Sequence, residues 1–133
     1  MRGTSETSVL REKAQELLRQ IAFARDGVCV MSNYPETGKC GGYRKDGELI
    51  LQAEHLLSRS NSATFGDMRN IVLLCKYHHI FWKPKNSLLY WKLIPKIIGR
   101  KRWLWLQRCR EDRTAHKIDL ILILLDLQQQ LNN

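Results

Sequence analysis

Residues 75 to 79, Cys-Lys-Tyr-His-His, combine a thiol with two adjacent imidazoles, side chains that bind transition metals and move protons. Successive residues of a helix point about 100° apart, because one turn takes about 3.6 residues. His78 and His79 therefore cannot easily bind the same ion. Either one of them is a bystander on the surface, or the segment faces two different sites.

Cys75 and His78 form a C-x2-H pair, and a thiolate combined with an imidazole suits zinc, which takes four tetrahedral ligands in structural sites. Cys29 and Cys40 are the thiols available in the preceding loop. Ser32 stands where the second cysteine of a C-x2-C pair would be, so Cys40 is predicted to take over that role. The sequence thus predicts a structural Zn2+ site made by Cys29, Cys40, Cys75 and His78. The alternative is a set of ordinary buried cysteines and a surface histidine.

If His78 binds zinc, His79 points elsewhere, and the nearest chemical partner is the pair Glu54-His55 at the end of a predicted strand. A carboxylate with two imidazoles could hold a hard divalent ion, and an imidazole is a suitable general base near neutral pH. A divalent ion can stabilise charge that develops on a phosphate oxygen. Taken alone, His55 in a strand is more often a half-buried structural histidine.

The order AEHLLSRS, then Asn70, then Cys75-x2-His78-His79 resembles the HNH endonucleases, whose ββα-metal motif has an acidic residue before a first His, a middle Asn and a last His. The resemblance covers residues 29 to 83. It is closest to phage HNH proteins with an H-x-x-S-R-S loop, a Phe-Trp pair after the last His and a helical tail. Such proteins include recombination endonucleases that act on branched DNA.

The resemblance implies a role for each matching residue. His55 would be the general base that activates the attacking water, and Asn70 would fix the loop that orients it. Glu54 and His79 would be ligands of a catalytic Mg2+ or Mn2+ ion. Arg59, and less strongly Arg69, would contact the scissile phosphate. Two positions depart from the family: Glu54 replaces the commoner Asp, and His78 replaces the cysteine usual in the second zinc pair.

The charge is unevenly distributed along the 133-residue chain, which carries 22 basic and 13 acidic side chains and a net charge of +9. Residues 1 to 58 have eight of each sign, whereas residues 59 to 110 have twelve basic groups and one acidic group. This excess is typical of a surface that binds a polyanion, although a solvated basic surface would look the same. The cations predicted to follow a DNA backbone are Lys92, Lys96, Arg100, Lys101 and Arg102.

Apolar spacing predicts an amphipathic helix over about residues 8–25 and an irregular loop over 28–47, followed by a strand within 47–57. A second helix is predicted from Asn70, carrying the cysteine and both histidines to the Lys83-Pro84 pair. Two helices divided by Gly99 should follow, the first of them kinked or shortened at Pro95. A last apolar segment favours a helix.

The chain is therefore predicted to be one α+β domain: an N-terminal helix, a zinc-bearing ββα-metal core over about 28–83, and a basic helical tail over about 86–131. No run is long and apolar enough to span a membrane, and the first residues, MRGTSETS, lack a signal core, which predicts a cytoplasmic protein. A small-molecule ligand is not expected.

The predicted function is metal-dependent hydrolysis of DNA phosphodiester bonds in a phage or prophage protein, and the resemblance implies branched DNA in recombination as a candidate substrate. A zinc-stabilised DNA-binding module without catalysis is the alternative. It explains the cysteines and the charge but not the set formed by Glu54, His55, Asn70 and His79. A third hypothesis, compatible with the first, is that the apolar segment 118–131 docks a partner or forms a homodimer.

Overall fold

A computed structural model describes residues 6–58, 64–112 and 119–133. Within these ranges the fold is α+β, with mostly helices and one two-stranded antiparallel sheet. The elements, in chain order, are α1 (Glu6–Asp26), β1 (Leu51–His55), β2 (Ile71–Cys75), α2 (Ser87–Ile98), α3 (Arg100–Glu111) and α4 (Leu120–Asn132). None of the described helices has the length and apolarity needed to cross a bilayer.

The sheet lies between two hydrophobic cores. All five residues of β2 are buried. Val72 and Leu74 belong to the core formed with α2, α3 and the cysteine loop, whereas Ile71 and Leu73 belong to the core formed with α1 and α4. Both faces of this strand are therefore covered, as in the central strand of a layered domain.

The helix predicted from Asn70 is wrong for its first part. Residues 71–75 pair with β1 as a strand, with Cys75 opposite Leu51. A helical segment begins only at Tyr77 and runs as a π-helix over Tyr77–Trp82. The error has a physical cause: a strand buried on both faces lacks the apolar–polar alternation that distinguishes strands, so its short apolar run also fits a buried helix.

The other predicted elements agree with the structure more closely. Helix α1 covers the range predicted for it and packs against α4 through Ala14, Leu18 and Ala22. The C-terminal apolar segment is helical. Gly99 separates α2 from α3 with φ +87°, a conformation that favours glycine. Helix α2 continues past Pro95 to Ile98, so the proline does not shorten it.

Two arginines hold the beginning of β2 from outside the sheet. Arg25, at the end of α1, donates to Met68 O at 2.8 Å and to Ile71 O at 2.6 Å. Arg102, on α3, donates to Arg69 O at 2.6 Å and to Ile71 O at 2.5 Å. Helices α1 and α3, which lie on opposite sides of β2 in the sequence, are thus attached to the same turn of main chain.

Candidate functional site

Four side chains predicted to bind zinc come together in the structure. The ligand atoms of Cys29, Cys40, Cys75 and His78 lie within 4.8 Å of one another. His78 Nδ1 is 3.7, 3.8 and 3.1 Å from the three sulfurs, taken in chain order. A nitrogen at about 2.0–2.1 Å and a sulfur at about 2.3 Å from a tetrahedral zinc ion would lie about 3.6 Å apart. The cluster can therefore hold a metal ion such as zinc.

Close packing of a glycine pair against the start of the π-helix brings Cys40 to this cluster. Gly41 O accepts a hydrogen bond from Tyr77 N at 3.1 Å. Gly42 has φ +91°, and a Cβ atom there would lie 2.6 Å from Lys76 Cβ. A side chain at position 42 would therefore have to displace Lys76, whereas glycine permits both the conformation and the approach.

The backbone amide of His78 donates to Cys75 Sγ at 3.4 Å. The turn after β2 therefore stabilises the Cys75 thiolate and also contributes the His78 side chain to the cluster. The three thiols lie close enough to influence one another's pKa. Donation from the Cys29 thiol lowers the pKa of Cys75 to about 4, despite burial. The same bond, together with burial, raises the pKa of Cys29, and burial chiefly raises that of Cys40. Negative charge is thus concentrated on Cys75, where a cation would be attracted.

Thr37 orients the imidazole of His78, a contact that the sequence did not reveal. His78 Nε2 lies 3.0 Å from Thr37 O and also 3.0 Å from Thr37 Oγ1. A carbonyl oxygen can only accept, so Nε2 carries the proton and the lone pair of Nδ1 faces the sulfurs. Such outer partners fix the tautomer of metal-binding histidines. Ser32 serves the same loop by donating to Cys29 O at 2.6 Å.

His79 belongs to a second cluster, on the β1 side of the π-helix. His79 Nε2 lies 2.6 Å from Glu54 Oε2, and the Lys83 ammonium donates to Glu54 Oε1. Glu54 is only 5% exposed. Burial raises the pKa of Glu54, but hydrogen bonds from His79 and Lys83 outweigh it, so the pKa is lowered and the carboxylate stays ionised. The site therefore holds a buried negative charge that is stabilised by the Lys83 ammonium and by contact with His79.

Gln52 sets the orientation of His79. Gln52 Oε1 lies 2.6 Å from His79 Nδ1, and residues 52 and 54 share one face of β1 because side chains alternate along a strand. Both ring nitrogens of His79 thus face oxygens. With Nδ1–H donating to Gln52, Nε2 is left to Glu54; it would have to give up its proton to Glu54 or to water before its lone pair could bind an ion. The cluster thus places one carboxylate and one imidazole side by side at the edge of a cavity.

His55 lines the same cavity, and a hydrogen bond defines its tautomer. Its Nε2 lies 3.0 Å from Phe65 O and must donate to that carbonyl, which leaves the lone pair on Nδ1. The ring stacks on Phe65 with centroids 5.3 Å apart. The cavity has a volume of about 440 Å³ and is lined by Gln15, Ala53, Glu54, His55, Leu56, Ser58, His79 and Lys83. The His55 imidazole and the buried Glu54 carboxylate therefore line the same cavity.

Asn70 is fully buried, and its side chain binds the main chain that follows His55. Its Oδ1 accepts from Leu57 N at 2.7 Å, and its Nδ2 donates to Leu57 O at 3.2 Å and to Thr64 O at 3.3 Å. Its side chain thus ties the residues on both sides of segment 59–63 to the start of β2. The role that the resemblance gives to Asn70, orienting His55 through this loop, stays a prediction.

The predicted DNA-binding cations have different environments. Lys92, Lys96, Arg100 and Lys101 are exposed on α2 and α3. Arg102 instead binds main-chain carbonyls, as described above. Arg69 pairs with Asp67 at 2.8 Å and lies over the Trp105 ring at 3.9 Å. Arg59 lies outside the described residues.

No protein-family model, curated protein or solved structure matches this chain. The chemistry of the two clusters therefore has to be inferred from their own geometry. Sequence reasoning identified, by type and spacing, the four residues of the Cys3His cluster, and it selected Glu54, His55 and His79, which the structure brings to one cavity. It missed Thr37, Gln52, Phe65 and Lys83, since nothing in their local sequence marks them as partners of the histidines.

Proposed function

We propose that this protein is a metal-dependent DNA endonuclease of the HNH type, with β1, β2 and the π-helix serving as its ββα-metal core. One observation carries the proposal: the buried carboxylate of Glu54 contacts His79 in the cavity that His55 also lines. A DNA-binding module would need the zinc cluster and the cations, but it would have no use for this arrangement.

In the proposed reaction, His55 accepts a proton at Nδ1 from the water that attacks the phosphodiester. Its Nε2–H remains bonded to Phe65 O, which keeps the ring in one orientation while the proton is taken. Asn70 assists by fixing the chain at Leu57, two residues beyond the base. The ring is thereby held in place before substrate binds.

Glu54 and His79 are the proposed ligands of a Mg2+ or Mn2+ ion. When bound, such an ion supplies electrostatic stabilisation of the charge that develops on phosphate and leaving-group oxygens. Gln52 orients His79, and Lys83 keeps Glu54 ionised while adding a positive charge to the cavity that a phosphate would enter. These residues hold the ligands and prepare the cavity for an anionic substrate.

The proposed role of the Cys3His cluster is structural and filled by Zn2+. It ties the end of β2 to the cysteine loop immediately before His79, so a bound zinc would fix the beginning of the π-helix. The adjacent histidines then have separate roles: His78 would bind zinc, and His79 would bind the catalytic ion. The exposed cations of α2 and α3 are proposed to contact DNA phosphates.

The test is cleavage of supercoiled plasmid and of a four-way DNA junction by the full chain with Mg2+ or Mn2+. The junction is included because the resemblance is closest to proteins that include nucleases for branched DNA. His55→Ala protein, purified in the same way and with equal zinc content, is the control. We expect the variant to bind DNA like the wild type but to lose cleavage.

Two outcomes would overturn the proposal. If the wild type binds both DNAs but cuts neither with either metal, the protein is a zinc-stabilised DNA-binding module. If His55→Ala cuts as fast as the wild type, the activity does not depend on this site.

A further inference from the structure

Lys83 lies between two attractive partners beside the cavity that His55 and Glu54 line. Its ammonium donates to Glu54 Oε1 and also lies over the Tyr90 ring, 4.7 Å from the ring centroid. The Lys83 side chain is 27% exposed and that of Glu54 is 5% exposed, so the lysine is the more accessible member of the pair. Among the described residues that line the cavity, Lys83 is the only lysine or arginine. It is therefore the cation of this set that an anionic group would meet there.

Both carboxylate oxygens of Glu54 have a partner. Lys83 contacts Oε1, and His79 Nε2 lies 2.6 Å from Oε2. Carboxylate oxygens and imidazole nitrogens are ligands for divalent ions, so the donor chemistry of Glu54 and His79 fits the proposed ion. An ion bound by Glu54 would, however, stand beside the Lys83 ammonium, and two positive charges at one carboxylate repel each other. Ion binding therefore disfavours the Lys83–Glu54 pair.

Lys83 can leave Glu54 without leaving the cavity. A lysine ammonium is a compact charge on a flexible four-carbon chain, so it can change partners by rotation about its side-chain bonds. The face of the Tyr90 ring attracts a cation without neutralising its charge. Tyr90 is fully buried, which keeps the ring in place. The ammonium is thus held near the cavity while its charge stays available to another anion.

We propose that Lys83 exchanges Glu54 for a phosphate group of the substrate when Glu54 binds the divalent ion. In the ion-free chain, the ammonium supplies the positive charge that a buried carboxylate needs. Once the ion supplies that charge, Lys83 is released and contacts the phosphate. The ion and DNA then favour each other's binding, because both favour the state in which Lys83 has left Glu54. This inference rests on the DNA substrate and the divalent ion of the proposed function, but not on cleavage.

The first test is Mn2+ binding to the full, zinc-loaded chain without DNA, measured from the electron paramagnetic resonance signal of free Mn2+. Lys83→Met should bind Mn2+ about tenfold or more tightly than the wild type, because it removes a positive charge that competes for Glu54. Lys85→Met is the matched control: it removes the same charge from an exposed lysine outside the cavity lining and should leave the affinity unchanged. Lys83→Gln keeps a hydrogen-bond donor for Glu54 without the charge, and it should bind Mn2+ more tightly even if Lys83→Met does not fold.

The second test is DNA binding in the His55→Ala background, which prevents cleavage. Lys83→Met should weaken DNA binding severalfold in the presence of Mn2+ and leave it unchanged in its absence, because the ammonium contacts the phosphate only after Glu54 has bound the ion. Lys85→Met should have the same effect under both conditions.

The two tests can overturn the inference separately. It is wrong if the wild type binds no Mn2+, or if neither Lys83 variant binds Mn2+ more tightly than the wild type. It is also wrong if Lys83→Met weakens DNA binding equally with and without Mn2+, or under neither condition. A chain that shows the expected exchange but never cuts DNA would support this inference and refute the proposed nuclease function.

Discussion

Replacing Arg102 with methionine should destabilise the fold without weakening DNA binding. Its guanidinium donates to two main-chain carbonyls, Arg69 O and Ile71 O, at 2.6 and 2.5 Å. Hydrogen bonds from a charged donor contribute about 1.5–3 kcal/mol each. Burial, and to a smaller extent the charge of Arg25, lowers the pKa of Arg102 to about 10. The free-energy cost of burying the guanidinium charge therefore offsets part of the stabilisation that the hydrogen bonds provide.

The net effect is therefore smaller than the sum of the two bonds. We expect Arg102→Met to lower the free energy of unfolding by about 2 kcal/mol, which corresponds to about 6–10 °C in Tm for a domain of this size. Thermal unfolding followed by circular dichroism, at equal zinc content, measures this change. Arg25 donates to Ile71 O as well, so the turn keeps one of its two attachments.

Lys101→Met is the matched control, because Lys101 is the exposed neighbour on the same helix. It should leave Tm unchanged but weaken DNA binding. The slope of the logarithm of the binding constant against the logarithm of the salt concentration should become less steep by the amount expected for the loss of about one phosphate contact. Fluorescence anisotropy at several salt concentrations, in the His55→Ala background, measures both. If Arg102→Met lowers the slope as much as Lys101→Met does and leaves Tm unchanged, the structural role assigned to Arg102 is wrong.

Two further predictions concern the loop and the metal cluster. Asn70→Ala should lower the free energy of unfolding by about 2–3 kcal/mol, since it leaves buried main-chain groups unpaired, and should slow cleavage about 100-fold through misplacement of His55. Tm and single-turnover cleavage measure the two effects, with the exposed Asn33→Ala as control. Purified protein should contain one zinc per chain, and Cys75→Ser should lose zinc and stability together, measured by elemental analysis and thermal unfolding. Cys109→Ser should retain both, because Cys109 lies outside the cluster.

Each of these has an outcome that contradicts it. Full cleavage by a destabilised Asn70→Ala protein would mean that the asparagine has no influence on His55. Equal zinc content in the two cysteine variants would mean that the metal, if present, is held elsewhere.

The sequence predicted the helices well because their signals are local. Apolar residues at helical spacing specify the buried face of α1, and Gly99 marks the point where one helix must end and the next begin. These preferences act between residues a few positions apart, so they can be recognised without knowledge of the rest of the fold.

The β2 strand could not be recognised in this way. Whether residues 71–75 form a strand or a helix depends on β1 as a pairing partner and on cores that cover both faces. Their apolar run is compatible with either structure. Tertiary packing determines that these residues form a strand, and the sequence alone does not show it because a strand buried on two sides has no polar face to identify it.

The sequence by itself determined which atoms could do chemistry: three thiols and an imidazole for one metal, and a carboxylate with two imidazoles beside it. Only the tertiary structure decided how those atoms are held. Thr37 lies 41 residues from His78, and Lys83 lies 29 residues from Glu54, so their contacts depend on how distant segments pack. The same packing brings Arg102 to main-chain carbonyls at the start of β2, a contact that its place in a basic run did not predict.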